Sequence, residues 1–167
     1  PSSGNAVYAI SLTGSQNSIW VETNSTAGIP GFNNCRCAVF LNNVHALVQD
    51  NYMLDDTMGI FATACTNADL DFTLNTIANT CGGITFNDVN SSIVRKVRAL
   101  DNSITVREPF LATAPNTSHP STYGIAHLEA SNATVTCADG SRECRVLIEN
   151  NNITDGRYGV FVNNAYG

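Results

Sequence analysis

Charge is what this chain has least of: charged side chains make up 13% of 167 residues, with 8 Lys and Arg against 14 Asp and Glu. A formal charge of −6 argues against nucleic acid or an anionic membrane, both of which call for basic patches, so neither is expected as a partner. No apolar run approaches the length that crosses a bilayer, and membrane insertion is not expected. There is no Gly-x-Ser-x-Gly elbow, no His-Glu-x-x-His and no phosphate-cradling Gly-rich loop, which removes the commonest hydrolase, zinc-protease and nucleotide-binding templates. No Cys-x-x-Cys exists, and His45, His119 and His127 are dispersed. Each His therefore reads as a surface or hydrogen-bonded residue rather than a ligand, and no metal site is expected. No signal peptide is visible, and the opening Pro1-Ser-Ser-Gly reads as the start of a mature chain or of an excised fragment.

What is present is a repeat. An Asn is followed two residues on by an apolar side chain and later by Gly and a β-branched residue: Asn51 to Gly59-Ile60, Asn75 to Gly83-Ile84, Asn102 to Gly124-Ile125 and Asn151 to Gly159-Val160. The Asn-to-Gly spacing is eight residues in three copies, and an insertion stretches the third. The segment from Ala38 to Asn43 mirrors Gly159 to Asn164 as a partial copy. Self-similarity at a period in the low twenties marks a solenoid.

Aligned on the Asn, the copies alternate with period two. Ala46, Leu70, Val97 and Val146 stand five before it, and Val48, Phe72, Ala99 and Ile148 three before it. Met53, Ile77, Ile104 and Ile153 stand two after it, and Ile60, Ile84, Ile125 and Val160 follow the Gly. Such alternation means short strands with one inward face. Three strands per repeat make a triangular coil, and stacked coils pair each strand with its equivalent about 4.8 Å away.

The stretch from Leu147 to Val162 resembles a coil of the right-handed parallel β-helix superfamily that includes pectate lyases, a likeness recurring in register over residues 38–164. The expected fold is all-β: a right-handed parallel β-helix, a three-sheet solenoid of about five to seven coils, forming one domain over 1–167. Two loops, 107–122 and 131–144, are expected as insertions. The resemblance implies that Asn51, Asn75, Asn102 and Asn151 stack as an internal amide ladder at a turn. An Asn side chain tolerates the left-handed turn conformation and can hydrogen-bond the next coil. Open strand ends and no evident capping helix leave two readings, a piece of a longer solenoid or a chain whose ends join other subunits.

Six Cys and five Asn-X-Ser/Thr acceptors, at Asn24, Asn90, Asn116, Asn132 and Asn152, favour a secreted or cell-surface setting. Cys137 and Cys144 flank a turn and are expected to bridge, with Cys35, Cys37, Cys65 and Cys81 paired among themselves in an unreadable order.

The outward columns are where chemistry would lie. Asp69 and Asp71 stand one rung from Lys96 and Arg98: a lyase-like patch would use the carboxylates for calcium and Arg as base, while plain cross-rung ion pairing explains the same residues. The sheet that forms the groove in pectate lyases and polygalacturonases corresponds to the Gly-Ile/Val strand. It presents Phe40, Phe61, Thr85, Ala126 and Phe161, then Asn42, Thr63, Asn87, Leu128 and Asn163, none of them ionisable. Phe40, Phe61 and Phe161 beside Asn42, Asn87 and Asn163 suit a sugar or a protein interface. Asp55-Asp56 resembles the paired Asp of polygalacturonases, but the companion Asp, His and Arg-Ile-Lys elements are not found around it, so it reads as a solvated turn pair. No cofactor is expected, calcium on these carboxylates being the nearest alternative.

Two functions follow. One is a non-catalytic extracellular β-solenoid glycoprotein serving assembly, adhesion or surface structure, joined to copies of itself or to neighbouring solenoid segments. The other is a polysaccharide lyase, glycoside hydrolase or glycan-binding module.

Overall fold

The computed structural model describes residues 8–14, 18–26, 29–65, 68–89, 96–107, 122–128 and 146–163. All regular structure among them is β. The chain begins with β1 (Tyr8–Thr13), β2 (Ser18–Glu22), β3 (Ser25–Thr26), β4 (Ile29–Pro30) and β5 (Phe32–Asn33). Next come β6 (Cys37–Asn42), β7 (His45–Gln49) and β8 (Tyr52–Leu54), then β9 (Met58–Thr63), β10 (Leu70–Thr73) and β11 (Thr76–Thr80). They are followed by β12 (Gly82–Asn87), β13 (Val97–Leu100) and β14 (Ser103–Val106), and by β15 (Tyr123–Leu128), β16 (Val146–Glu149) and β17 (Asn152–Thr154), before β18 (Tyr158–Asn163).

Three sheets collect these strands in turn. Sheet 1 runs β1-β6-β9-β12-β15-β18, sheet 2 runs β2-β7-β10-β13-β16 and sheet 3 runs β5-β8-β11-β14-β17. Every pairing in them is parallel, and β3 with β4 forms a separate antiparallel ladder. A chain that steps from sheet 1 to 2 to 3 and back, always in parallel, is consistent with a β-solenoid. The inserted loops expected at 107–122 and 131–144 lie, apart from Arg107 and Thr122, outside the described residues. So do Cys137, Cys144, Asn90, Asn116, Asn132 and His119.

The inward alternation sets the register. Val39, Ile60, Ile84, Ile125 and Val160 pair in sequence along sheet 1. Ala46, Leu70, Val97 and Val146 do so in sheet 2, and Met53, Ile77, Ile104 and Ile153 in sheet 3. All but the exposed Val160 belong to one apolar core or pack against it. A slip of one residue would turn a whole strand's aliphatic set to water, so burial of a single face is enough to lock the pairing.

The corners need backbone that ordinary residues avoid. Among the described residues twelve non-glycine positions have positive φ, and nine of them are Asn or Asp, the types that visit the left-handed region most cheaply. Each corner between sheets 2 and 3 has one: Thr23, Asp50, Leu74, Asp101 and Asn150. They immediately precede the repeat Asn, so the left-handed residue is one position earlier than the Asn chemistry suggested. Their N–H groups donate across the gap, Asp50 to Thr73 O at 3.2 Å and Leu74 to Leu100 O at 3.2 Å. Asp50, Asp55, Asp88, Asp101 and Asp155 all occupy left-handed corners. Five of the chain's 14 acidic residues thus serve turns.

The repeat glycine has a packing reason. A Cβ on Gly83 would lie 2.3 Å from Gly124 O and 2.7 Å from Ile104 Cγ2; on Gly59, 2.7 Å from Gly83 O; and on Gly124, 2.3 Å from Ile153 Cγ2. The same Cβ on Gly159 would meet nothing within 4 Å. Gly83→Ala is expected to cost about 3 kcal/mol in chemical denaturation, since backbone of the next rung must move. Gly159→Ala should change monomer stability by less than about 0.5 kcal/mol. Equal losses at the two sites would refute this account of the glycine.

Candidate functional site

The longest polar network of the described residues is a column of amides at the corner between sheets 2 and 3. Asn24 Nδ2 donates to Asn51 Oδ1 at 2.8 Å, Asn51 to Asn75 at 3.0 Å, Asn75 to Asn102 at 3.0 Å and Asn102 to Asn151 at 2.9 Å. Each Oδ1 also accepts the backbone N–H of the preceding Asn, at 3.0–3.2 Å. The second amide proton reaches a carbonyl of the preceding rung, as from Asn75 to Val48 O at 2.8 Å and from Asn102 to Phe72 O at 2.9 Å. Asn51, Asn75 and Asn102 are buried, and every donor and acceptor of their side chains is spent inside the protein. Asn24 was legible only as a sugar acceptor. It heads the column, in a rung that keeps the aliphatic markers Ile19 and Val21 but lacks the glycine at the repeat spacing. The acceptor Asn152 is an exposed residue of β17.

The outward face of sheet 2 carries the charged candidates. Trp20, Leu47, Asp71, Arg98 and Leu147 form one column in register. Arg98 Nη2 is ion-paired with Asp71 Oδ2, and this hydrogen bond first, against a desolvation cost, raises the guanidinium pKa. Beside it, Asp69 Oδ1 accepts the backbone N–H of Lys96 at 2.8 Å, and His45 Nδ1 accepts the backbone N–H of Asp69 at 2.9 Å. Both carboxylates thus bind the rung that follows. Trp20, the only tryptophan, is 74% exposed.

On the outward face of sheet 1, Ser11, Phe40, Phe61, Thr85, Ala126 and Phe161 share a column, with Thr13, Asn42, Thr63, Asn87, Leu128 and Asn163 beside it. The rings are half-buried rather than exposed. Phe40 and Phe61 stack with centroids 5.8 Å apart and planes 5° from parallel, and Tyr8 tilts onto Phe40 from the preceding rung at 4.9 Å. Phe161 packs with Tyr158 at 5.4 Å, separated from the other two by buried Thr85 and Ala126. Thr85 Oγ1 lies 2.8 Å from the Tyr123 hydroxyl, whose pKa burial raises. Asn87 Nδ2 donates to Thr63 Oγ1 at 3.0 Å. Ring faces turned to one another offer a sugar only their edges.

The corner before sheet 1 departs most from expectation. Asp56 is not a solvated turn residue: it is 1% exposed, with Oδ1 accepting the Cys35 N–H at 2.6 Å and Oδ2 without a partner among the described residues. Burial lifts its pKa to about 6. Its neighbour Asp55 takes φ 57° and accepts from Asn79 Nδ2.

The bridges expected among Cys35, Cys37, Cys65 and Cys81 are absent, all four being free thiols. Cys37 Sγ lies 3.3 Å from Val39 O, Cys65 Sγ 3.3 Å from Thr63 O and Cys35 Sγ 3.6 Å from Asn33 O, so three thiols already have backbone acceptors. Burial, then the Asp56 charge, pushes the Cys37 thiol up to about 12 and raises Cys35; burial also raises Cys65. Thiols held this far from ionising are poor nucleophiles. His127, read as a surface or hydrogen-bonded residue, faces the core edge-on to Phe86 at 6.5 Å, and burial lowers its pKa. Among the described residues no three His, Cys, Asp or Glu come together as a metal site. No family model, curated protein or solved structure matches the chain.

Asp56 makes stability depend on pH in a stated direction. Its folded pKa of about 6 lies above the ordinary 3.8, so the native state holds the proton more tightly. Stability contributed by the neutral acid is present below about pH 4 and lost as pH rises through 6, by about 3 kcal/mol. Urea midpoints from pH 4 to 8 should fall for the native protein relative to Asp56→Asn, which keeps an Oδ1 for Cys35. Parallel curves would exclude this role.

Proposed function

We propose that this chain is a non-catalytic, extracellular β-solenoid of the right-handed, pectate lyase-like kind, acting in assembly, adhesion or surface structure. Its coils number about five to seven, with loops inserted at 107–122 and 131–144. The observation that carries the reading is the edge formed by β16, β17 and β18. Val160 and Val162 stand in columns where Val39, Ile60, Ile84 and Ile125, or Leu41, Ala62 and Phe86, are fully buried, yet they are 48% and 53% exposed. Gly159 keeps the space that a following rung fills at Gly59, Gly83 and Gly124. Among the described residues, an edge of parallel strands with partly exposed aliphatic side chains is suited to receiving another solenoid segment, of the same chain or of another.

The charged and amide groups point the same way. Asp71 with Arg98, Asp69 with the Lys96 backbone and the Asn column are engaged with neighbouring rungs, and the stacked Phe40 and Phe61 face each other. These commitments favour a scaffold over a polysaccharide-acting enzyme or glycan-binding module. The secreted location is supported by the acceptor sequences, Asn152 being exposed, and by the sparse charge; the four free thiols lend it nothing.

Light scattering and electron microscopy over a concentration series test the reading. The protein should lengthen end to end as concentration rises, and Val160→Asp with Val162→Asp should weaken that growth at least about tenfold by placing charge in an apolar contact. Particles of constant length at every concentration would overturn the assembly role. Retention on polysaccharide by a protein that does not associate would favour the glycan-binding alternative.

A further inference from the structure

The outward face of sheet 2 is complementary to itself, and we propose that two copies of this chain pair through it, face to face with their rung order reversed. This contact is lateral; it goes beyond the end-to-end association above and does not depend on it.

The pattern lies in two adjacent columns. Along successive strands β7, β10, β13 and β16, one column reads Leu47, Asp71, Arg98, Leu147: apolar, negative, positive, apolar. In the other, Asp69 precedes Leu70 of β10 and Lys96 precedes Val97 of β13, so negative is again followed by positive on the same two rungs. Consider a two-fold axis parallel to the strands and midway between β10 and β13. It sets Asp71 over Arg98, Asp69 over Lys96 and Leu47 over Leu147 of the second copy, and each contact occurs twice, as an isologous interface requires. An axis along β10 itself would oppose Asp71 to Asp71. Stacking without reversal would also oppose like charges. The charge order therefore selects one offset and one orientation.

Arg98 and Asp71 meet through Nη2 and Oδ2 and stay partly open to solvent, with half-buried Asp69 and exposed Lys96 beside them, so charge of both signs is presented on this face. Leu147 is exposed and Leu47 half-buried, so the flanks supply apolar area to cover. Crossed pairs at the centre and aliphatic contacts outside them form a compact, self-matching patch.

Charge reversal in mixtures tests this, on a Val160→Asp background that silences the ends. Asp69→Lys with Asp71→Arg makes both rungs positive; Lys96→Asp with Arg98→Asp makes both negative. In sedimentation velocity at low salt the parent should dimerise, with salt weakening the dimer. Each reversed protein alone should associate at least about tenfold more weakly, and an equal mixture of the two should recover the parent's dimer mass. A second variant, Asp71→Arg with Arg98→Asp, keeps the internal pair and should still dimerise with itself. Folding defects cannot produce association on mixing. A parent that stays monomeric, or a mixture that does, overturns the proposal.

Discussion

Each buried backbone or amide donor must find its acceptor one rung away, and the rest of the structure is arranged around that requirement. At the corner between sheets 2 and 3 the chain turns through a left-handed residue and then offers an Asn. Its Oδ1 takes two N–H donors from one neighbouring rung, and its Nδ2 serves the next amide and a carbonyl. In a low-dielectric interior a donor left without its acceptor costs about 1–3 kcal/mol. The column therefore behaves as a unit: its members are spaced by the strand separation, and the spacing aligns the aliphatic columns of all three sheets. The glycine after sheet 3 serves the same end from the other corner, letting the next carbonyl come close where a Cβ would intrude.

That economy bears on function. Polar side chains that a sequence reader would nominate for chemistry are engaged in holding rung to rung. Asp71 meets Arg98, Asp69 caps the Lys96 N–H and the Phe rings stack along the sheet. The columns described here are engaged with one another. The two proposed self-contacts would both use repeating geometry, one along the solenoid at the β18 edge and one across it on the charged face of sheet 2.

How far the sequence reveals this depends on whether a feature is periodic. The Asn-to-Gly spacing was enough to place Ile60, Ile84 and Ile125 in one column and Leu47, Asp71, Arg98 and Leu147 in another, because period-two alternation settles which way each residue faces. Features that break the period stayed hidden. Asn24 sits in a rung without the glycine marker, so its place at the head of the amide column could not be counted out. Burial of Asp56 depends on how one corner folds over Cys35, which alternation does not describe. The cysteines were read from compartment and even number, whereas pairing depends on where each thiol points; in three cases it points to a nearby carbonyl. Thr85 and Ala126 face outward as their column requires and are nonetheless buried, a property of neighbouring coverage and not of the strand.

The claim that the amide column sets the register is tested most directly by comparing its middle with its end. Asn75 stands buried between Asn51 and Asn102, while Asn24 is exposed and within the column bonds to Asn51 alone. In urea denaturation, Asn75→Ala should lose about 3 kcal/mol or more, since it strands donors on Asn51 and an acceptor on Val48. Asn24→Ala should lose less than about 1 kcal/mol, the usual net value of an exposed hydrogen bond. A small and equal loss at both positions would contradict the account, leaving the aliphatic columns alone to hold the rungs in place.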